Sequence, residues 1–306
     1  MLSDASVSSG SHPATQVYSW RGYRCAYEVW SAGDANTTPL LLIHPIGVGL
    51  SRRFWDRFIQ AWQTAEPNSL IYNPDLLGCG DSDMPPVAYM PDDWADQLWQ
   101  FIQRVIQKPV IVVVQGALFP VALALSEKAD ANWIKGLVLS GPPAWSVMKQ
   151  PAAVWQQRLS WNLFASPLGR GFYQYAKRRA FIRNFSIRQL FATAEDVDAE
   201  WLDRLSSDAQ NTASRYAVFS FLAGFWRKDY TAAIAELPVP TLVVLGTTAS
   251  SISRSGQSET PEQRMADYLK HLPHGQGVQI AGRNVLPYEA TAAFVEAIRP
   301  FVQSVM

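Results

Sequence analysis

Six short apolar runs punctuate the chain, and each is stopped by a turn-forming residue. Leu40 to Ile43 ends at His44-Pro45, Leu70 to Asn73 at Pro74-Asp75, and Val110 to Val114 at Gln115-Gly116. Leu137 to Ser140 ends at Gly141-Pro142, Thr241 to Leu245 at Gly246, and Val278 to Ile280 shortly before Gly282. Runs that are apolar on both faces suit strands covered on both sides, as in a parallel sheet. Before them, Val17 to Trp20 and Cys25 to Val29 read as a hairpin around Arg21-Gly22. Helical periodicity fills the gaps at Phe54 to Thr64, Asp92 to Ile106, Phe119 to Ala129, Gln263 to Leu272 and Ala290 to Val305. Alternating strands and helices predict an α/β protein with a mostly parallel central sheet flanked by helices. Its ligand sites belong at the carboxyl ends of the strands.

The alternation breaks once. From Pro142 to Glu236 the pattern is helical and shows no buried strand. This predicts a core of residues 15–141 and 236–306, an inserted helical cap over 142–235, and, from composition alone, a disordered tail over 1–14.

The run ends carry recognisable motifs. His44-Pro45-Ile46-Gly47 resembles the oxyanion loop of the α/β-hydrolase family, and Pro74-Asp75-Leu76-Leu77-Gly78-Cys79-Gly80-Asp81-Ser82-Asp83 is similar to its Asp-Leu-x-Gly-x-Gly-x-Ser-Asp loop. Gln115-Gly116-Ala117-Leu118-Phe119 falls where the nucleophile elbow belongs, and Gly282 to Glu289 where that family keeps its Gly-His-x-Pro-x-Glu segment. Four motifs in order, each at the end of an apolar run, imply the α/β-hydrolase fold.

The chain departs from that family where the chemistry sits. Anchoring the elbow on Val114 and on Ala122-Leu123 puts Ala117 at the serine position. Val285 stands at the histidine position, and no carboxylate follows Leu245, where Ala249 stands instead. Of the four histidines, His12 is in the tail, His44 is in the oxyanion loop, and His271 and His274 precede the last strand. Losing a whole triad costs on the order of 10⁶ in turnover. The displaced nucleophiles or partners to weigh are Cys79, Ser140, Asp75 and Ser82; the alternative for each is a buried small residue or a loop cap.

Charge changes the picture locally rather than globally. The net formal charge is zero, which selects no partner, yet Ala131 to Ala194 contains no Asp or Glu and holds nine basic residues. Arg170, Lys177, Arg178, Arg179 and Arg183 are the candidate surface-binding set, with aromatics interleaved and an acidic segment following from Glu195. Such a face suits an anionic membrane surface, an acidic protein or an anionic ligand; the alternative is internal pairing with the acidic segment. No nucleic-acid motif is present, so nucleic acid is not expected. Two cysteines give neither a disulfide framework nor a metal spacing. They suggest a reducing, cytoplasmic setting, peripheral to a membrane if the basic face binds one. No cofactor or metal is expected.

Three readings follow. The leading one is a non-hydrolytic homologue that serves as a binding scaffold. It would hold a lipid or other apolar molecule in a pocket lined by His44, Ile46, Gly47, Gln115, Ala117, Leu118 and Val285. The alternative is an ester, amide or lyase enzyme with a displaced catalytic set. The third is a subunit of a larger assembly, for which the twelve tryptophans are the support.

Overall fold

The computed structural model describes residues 12–31, 37–129 and 132–306. Most of the tail expected over 1–14 therefore lies outside the described residues. Thr15, just beyond it, is held by the Arg52 guanidinium at 2.8 Å.

Eight strands form one sheet: β1 (Gln16–Trp20), β2 (Tyr23–Ser31), β3 (Leu40–Ile43), β4 (Leu70–Pro74), β5 (Val110–Gln115), β6 (Ile134–Ser140), β7 (Thr241–Gly246) and β8 (Gly275–Ile280). Their order is β1-β2-β4-β3-β5-β6-β7-β8. The β1–β2 and β2–β4 pairs are antiparallel, and every later pair is parallel. This is the mostly parallel sheet that the apolar runs predicted. The last strand begins at Gly275, earlier than its apolar residues suggest. As an edge strand it is only half-buried, so it lacks the continuous apolar signature.

The helices are α1 (Asp56–Ala65), α2 (Pro91–Phe101), α3 (Phe119–Lys128), α4 (Trp145–Met148), α5 (Val154–Ala165), α6 (Pro167–Ala176) and α7 (Arg179–Phe185), then α8 (Ala199–Asp208), α9 (Arg215–Leu222), α10 (Thr231–Ala235), α11 (Pro261–His271), α12 (Leu286–Glu289) and α13 (Thr291–Val305). Successive strand residues point to opposite faces. Leu41, Val112, Leu137 and Val243 thus join a core layer with residues of α2, α3 and α11. Leu40, Val113, Val138 and Val244 join the other layer, with α1 and α13. Covering both faces is what permits strands with no polar alternation.

Two features position the site. The chain moves from β3 outward to β4 and then back across to β5, so the crevice at the strand ends opens between the β3 and β5 loops. From α4 to α10, the described residues between β6 and β7 are helical and contain no strand, and this segment lies on the chain between two of those strand ends.

Candidate active site

The turn after β5 is the sharpest feature of the site. Gln115 closes the strand, Gly116 to Leu118 make one tight helical turn, and α3 follows directly. Gly116 has φ +63°, the left-handed region in which a side chain is strained. A Cβ built on Gly116 meets no atom within 4 Å, so it would project into open space. In a strand-to-helix elbow the strained residue is the one displayed above the sheet. The apex is therefore Gly116, which corrects the assignment of the serine position to Ala117. Spacing alone cannot distinguish neighbouring residues; the backbone dihedral does. Ala117 sits half-buried in the helical turn, and Leu118 is buried in the core. None of the three carries a nucleophile.

The loop after β8 is bound into a polar seam. Val285 is 4% exposed and belongs to the same core layer as Phe191, Trp201 and Leu286. The residues just before it, Arg283 and Asn284, had no assigned role from sequence. Gln115 Nε2 donates to the Asn284 carbonyl at 2.7 Å. Asn284 Nδ2 donates to the carbonyls of Gln189 at 2.7 Å and Ser250 at 2.9 Å, and its backbone N–H donates to Leu190 at 3.0 Å. Arg283 Nε donates to Ser250 Oγ at 2.9 Å, while its backbone N–H donates to Glu289 at 2.8 Å. Glu289 also accepts from the backbone N–H of Ala192. Burial raises the Glu289 pKa, and these two backbone donors oppose that shift. The seam ties the strand-end loops to the π-helical turn Ser186–Leu190 of the insertion. Ala249, at the acid position, is buried at 4% exposure in the β7 loop beside Ser250.

His44 is fully buried, and both its nitrogens are committed. The Leu76 backbone N–H donates to Nε2 at 3.1 Å, so the ring proton sits on Nδ1, which lies 2.8 Å from the Pro45 carbonyl. Burial lowers its pKa, outweighing the opposing pull of Asp75, and keeps the ring neutral. Its role is to brace the β3 and β4 loops. Ile46 and Gly47 are half-buried on the same loop.

Three of the four displaced candidates, Cys79, Asp75 and Ser82, are built into the fold. Cys79 is 3% exposed, and burial, followed by the nearby Asp75 charge, pushes its thiol pKa well up, away from the reactive thiolate. Asp75 is fully buried, pairs with the Arg52 guanidinium and accepts from the Arg52 backbone at 2.8 Å. Arg52 also reaches Glu28 at 3.0 Å and Asp81 at 2.8 Å. Burial works against its charge, but the three acids outweigh burial and raise its pKa. A Cβ on Gly80 would fall 2.2 Å from the Asp75 carboxylate, which explains that glycine of the loop motif. Ser82 Oγ accepts from Ala26 and donates to the Asp75 carbonyl. Ser140 Oγ is buried without a partner among the described residues.

Two cavities of the described residues lie away from residues 117 and 285. One, of about 150 Å³, lies between α2, α3 and α10 and is lined by Pro91, Leu123 and Tyr230. The other, of about 10 Å³, lies between Gly49, Trp201 and Tyr288. Of the seven proposed lining residues, His44, Gln115, Leu118 and Val285 are buried in core or seam, while Ile46, Gly47 and Ala117 keep partial exposure.

The basic set lies on the insertion. Arg170, Arg178, Arg179 and Arg183 are exposed, and Lys177 is half-buried. Of these five, only Arg179 forms an ion pair among the described residues, with Asp203. Three other acids of the acidic segment pair elsewhere: Asp198 and Glu200 with Arg57 of α1, and Asp208 with Arg53.

Sheet order, loop motifs and elbow together define an α/β hydrolase architecture. The profile of the "Alpha/beta hydrolase family" matches residues 40–297, and the chain belongs to that family. A thermophilic esterase from Thermogutta terrifontis superposes with a TM-score of 0.70 at 21% identity, over 96% of this chain and 99% of the esterase. A bromoperoxidase from Bacillus anthracis superposes with a TM-score of 0.73 at 16% identity, over 95% and 100% of the two chains. An enol-lactonase from Burkholderia xenovorans gives 0.70 at 13% identity, over 94% and 100%. At these identities the likeness is one of fold. No curated protein sequence matches the chain.

Proposed function

We propose that this chain is a non-hydrolytic member of the α/β hydrolase family that acts as a binding or interaction scaffold. One observation carries the reading: the left-handed apex of the elbow is Gly116, whose missing side chain is the one a nucleophile would need. Val285 and Ala249 at the base and acid positions agree with it, and both are buried rather than poised at a cleft. His44, the histidine of the oxyanion loop, has no free nitrogen to serve as a base.

The alternative is hydrolysis by a displaced set. It draws support from fold neighbours that include an esterase and an enol-lactonase, and from the oxyanion-loop motif at His44 to Gly47, whose counterpart in the family presents backbone N–H donors to the substrate. Such donors stabilise a developing oxyanion but do not attack a carbonyl. The committed hydrogen bonds of Asp75 and Ser82 and the buried thiol of Cys79 weigh against a substitute nucleophile. A fluorophosphonate probe, which reacts covalently with activated serines, tests the proposal. The expected result is no adduct by mass spectrometry. A stoichiometric adduct on any serine would overturn it.

A further inference from the structure

Helix α5 is built inside out. None of its residues is buried. Its half-buried residues Gln157, Ser160, Trp161 and Phe164 recur at helical spacing and face the protein. The opposite stripe carries Trp155, Leu159 and Leu163, exposed at 66%, 63% and 52%. The next helix repeats the pattern: α6 buries Gly169, Tyr173 and Ala176 and exposes Leu168 at 73%, Phe172 at 43% and Tyr175 at 52%. Only Ser166 separates the two helices, and the exposed Leu163 and Leu168 flank that turn, which brings the two apolar stripes side by side. Tyr175 continues the surface through Phe181, at 5.2 Å, to α7. Soluble surfaces scatter large apolar side chains singly; a continuous patch marks an interaction site.

The charge around the patch selects the partner. Arg178 lies 5.5 Å over the Tyr175 ring, at the edge of the apolar stripe. Arg158 lies on α5 between Trp155 and Leu159, and Arg170 and Arg183 are exposed on the neighbouring helices. None of these four has an acidic partner among the described residues; of the acidic segment, Asp198 and Glu200 pair with Arg57, Asp208 with Arg53, and only Asp203 reaches the basic set, through Arg179. A second copy of this chain would bring the same positive charge and repel. Among the described residues no helix is long and apolar enough to cross a membrane, and the proposed contact is at its surface. We propose that α5, α6 and α7 form an interfacial membrane-docking face, with Trp155, Leu159, Leu163 and Leu168 entering the headgroup region and the arginines holding anionic lipid headgroups. This inference is independent of what the Gly116 elbow does.

Flotation of the full chain with vesicles tests it, using phosphatidylcholine alone and phosphatidylcholine with a third of the lipid as phosphatidylglycerol. The expected result is co-flotation with the anionic vesicles only, reduced by salt. Arg170→Gln with Arg183→Gln should lower partitioning about 25-fold, at roughly fivefold per basic residue. Leu159→Glu with Leu168→Glu should abolish it; both side chains are exposed, so an unchanged circular dichroism melt confirms the fold. Three results would overturn the proposal: no binding to anionic vesicles, equal binding to both kinds, or anionic binding that survives both double variants. A concentration-dependent dimer in sedimentation, dissolved by the leucine variant without any vesicle binding, would assign the face to self-association instead.

Discussion

Replacing Asn284 by alanine isolates the seam that closes the strand ends. The wild-type side chain donates to Gln189 at 2.7 Å and to Ser250 at 2.9 Å, and accepts a longer bond from the Ser250 backbone at 3.3 Å. Each of the two shorter bonds contributes about 1 kcal/mol net, and partly buried carbonyls left without donors add to the cost. The expected destabilisation is therefore about 2–3 kcal/mol. The effect should also be local, because Asn284, beside Arg283, joins the β8 loop to the π-helical turn Ser186–Leu190. Urea unfolding at an unchanged slope gives the global figure. Hydrogen exchange gives the local one: amides around 186–192 and at Arg283 and Asn284 should lose protection, while those of β5 and β6 should not. A loss below about 0.5 kcal/mol, with unchanged exchange in those segments, would refute the seam as a structural tie.

Three further outcomes follow. Arg52→Met strands Asp75 and Glu28 as buried, uncompensated acids; it should cost about 3–5 kcal/mol in a urea titration, and a neutral effect would contradict the network. Gly80→Ala drives a Cβ to 2.2 Å from the Asp75 carboxylate and strains a residue at φ +55°, so thermal unfolding should shift down by several degrees. Asp198 caps α8 at the Trp201 N–H, pairs with Arg57 and accepts from the Tyr288 hydroxyl; burial alone would raise its pKa, but these three partners lower it. A depressed acid stabilises the fold above its unfolded pKa of about 3.9 and loses that contribution as pH falls through the folded value. The melting-temperature gap between wild type and Asp198→Asn should thus be widest near neutrality and close on acidification. A gap that widens in acid would reverse the assignment.

The strands were legible because a sheet covered on both faces leaves continuous apolar runs such as Val110 to Val114. The edge strand β8 was legible only at its apolar end, since Gly275-Gln276-Gly277 is half-exposed. The elbow was legible as a place but not to the residue: Gly116 and Ala117 are both small, and only φ separates the apex from its neighbour. The pocket was inferred from residue types at the strand ends. Tertiary hydrogen bonds from Arg283 and Asn284 across to 187–191 bind the same strand-end loops, and no local pattern encodes those bonds. One signal was present, in that two large polar residues stand where small ones are usual. The cap aromatics divide similarly. Tyr173 is fully buried, whereas Trp155, on the preceding helix, is 66% exposed, and composition treats them alike.

The central claim is that the family fold here lacks hydrolytic chemistry. Its most direct test is turnover of a panel of short and medium-chain activated esters by the wild-type chain, beside Ala117→Glu, which puts a carboxylate next to the elbow apex. The account predicts background rates for both proteins across the panel. Turnover well above background in the wild type, lost in Ala117→Glu, would contradict it and place a working catalytic set at the Gly116 elbow.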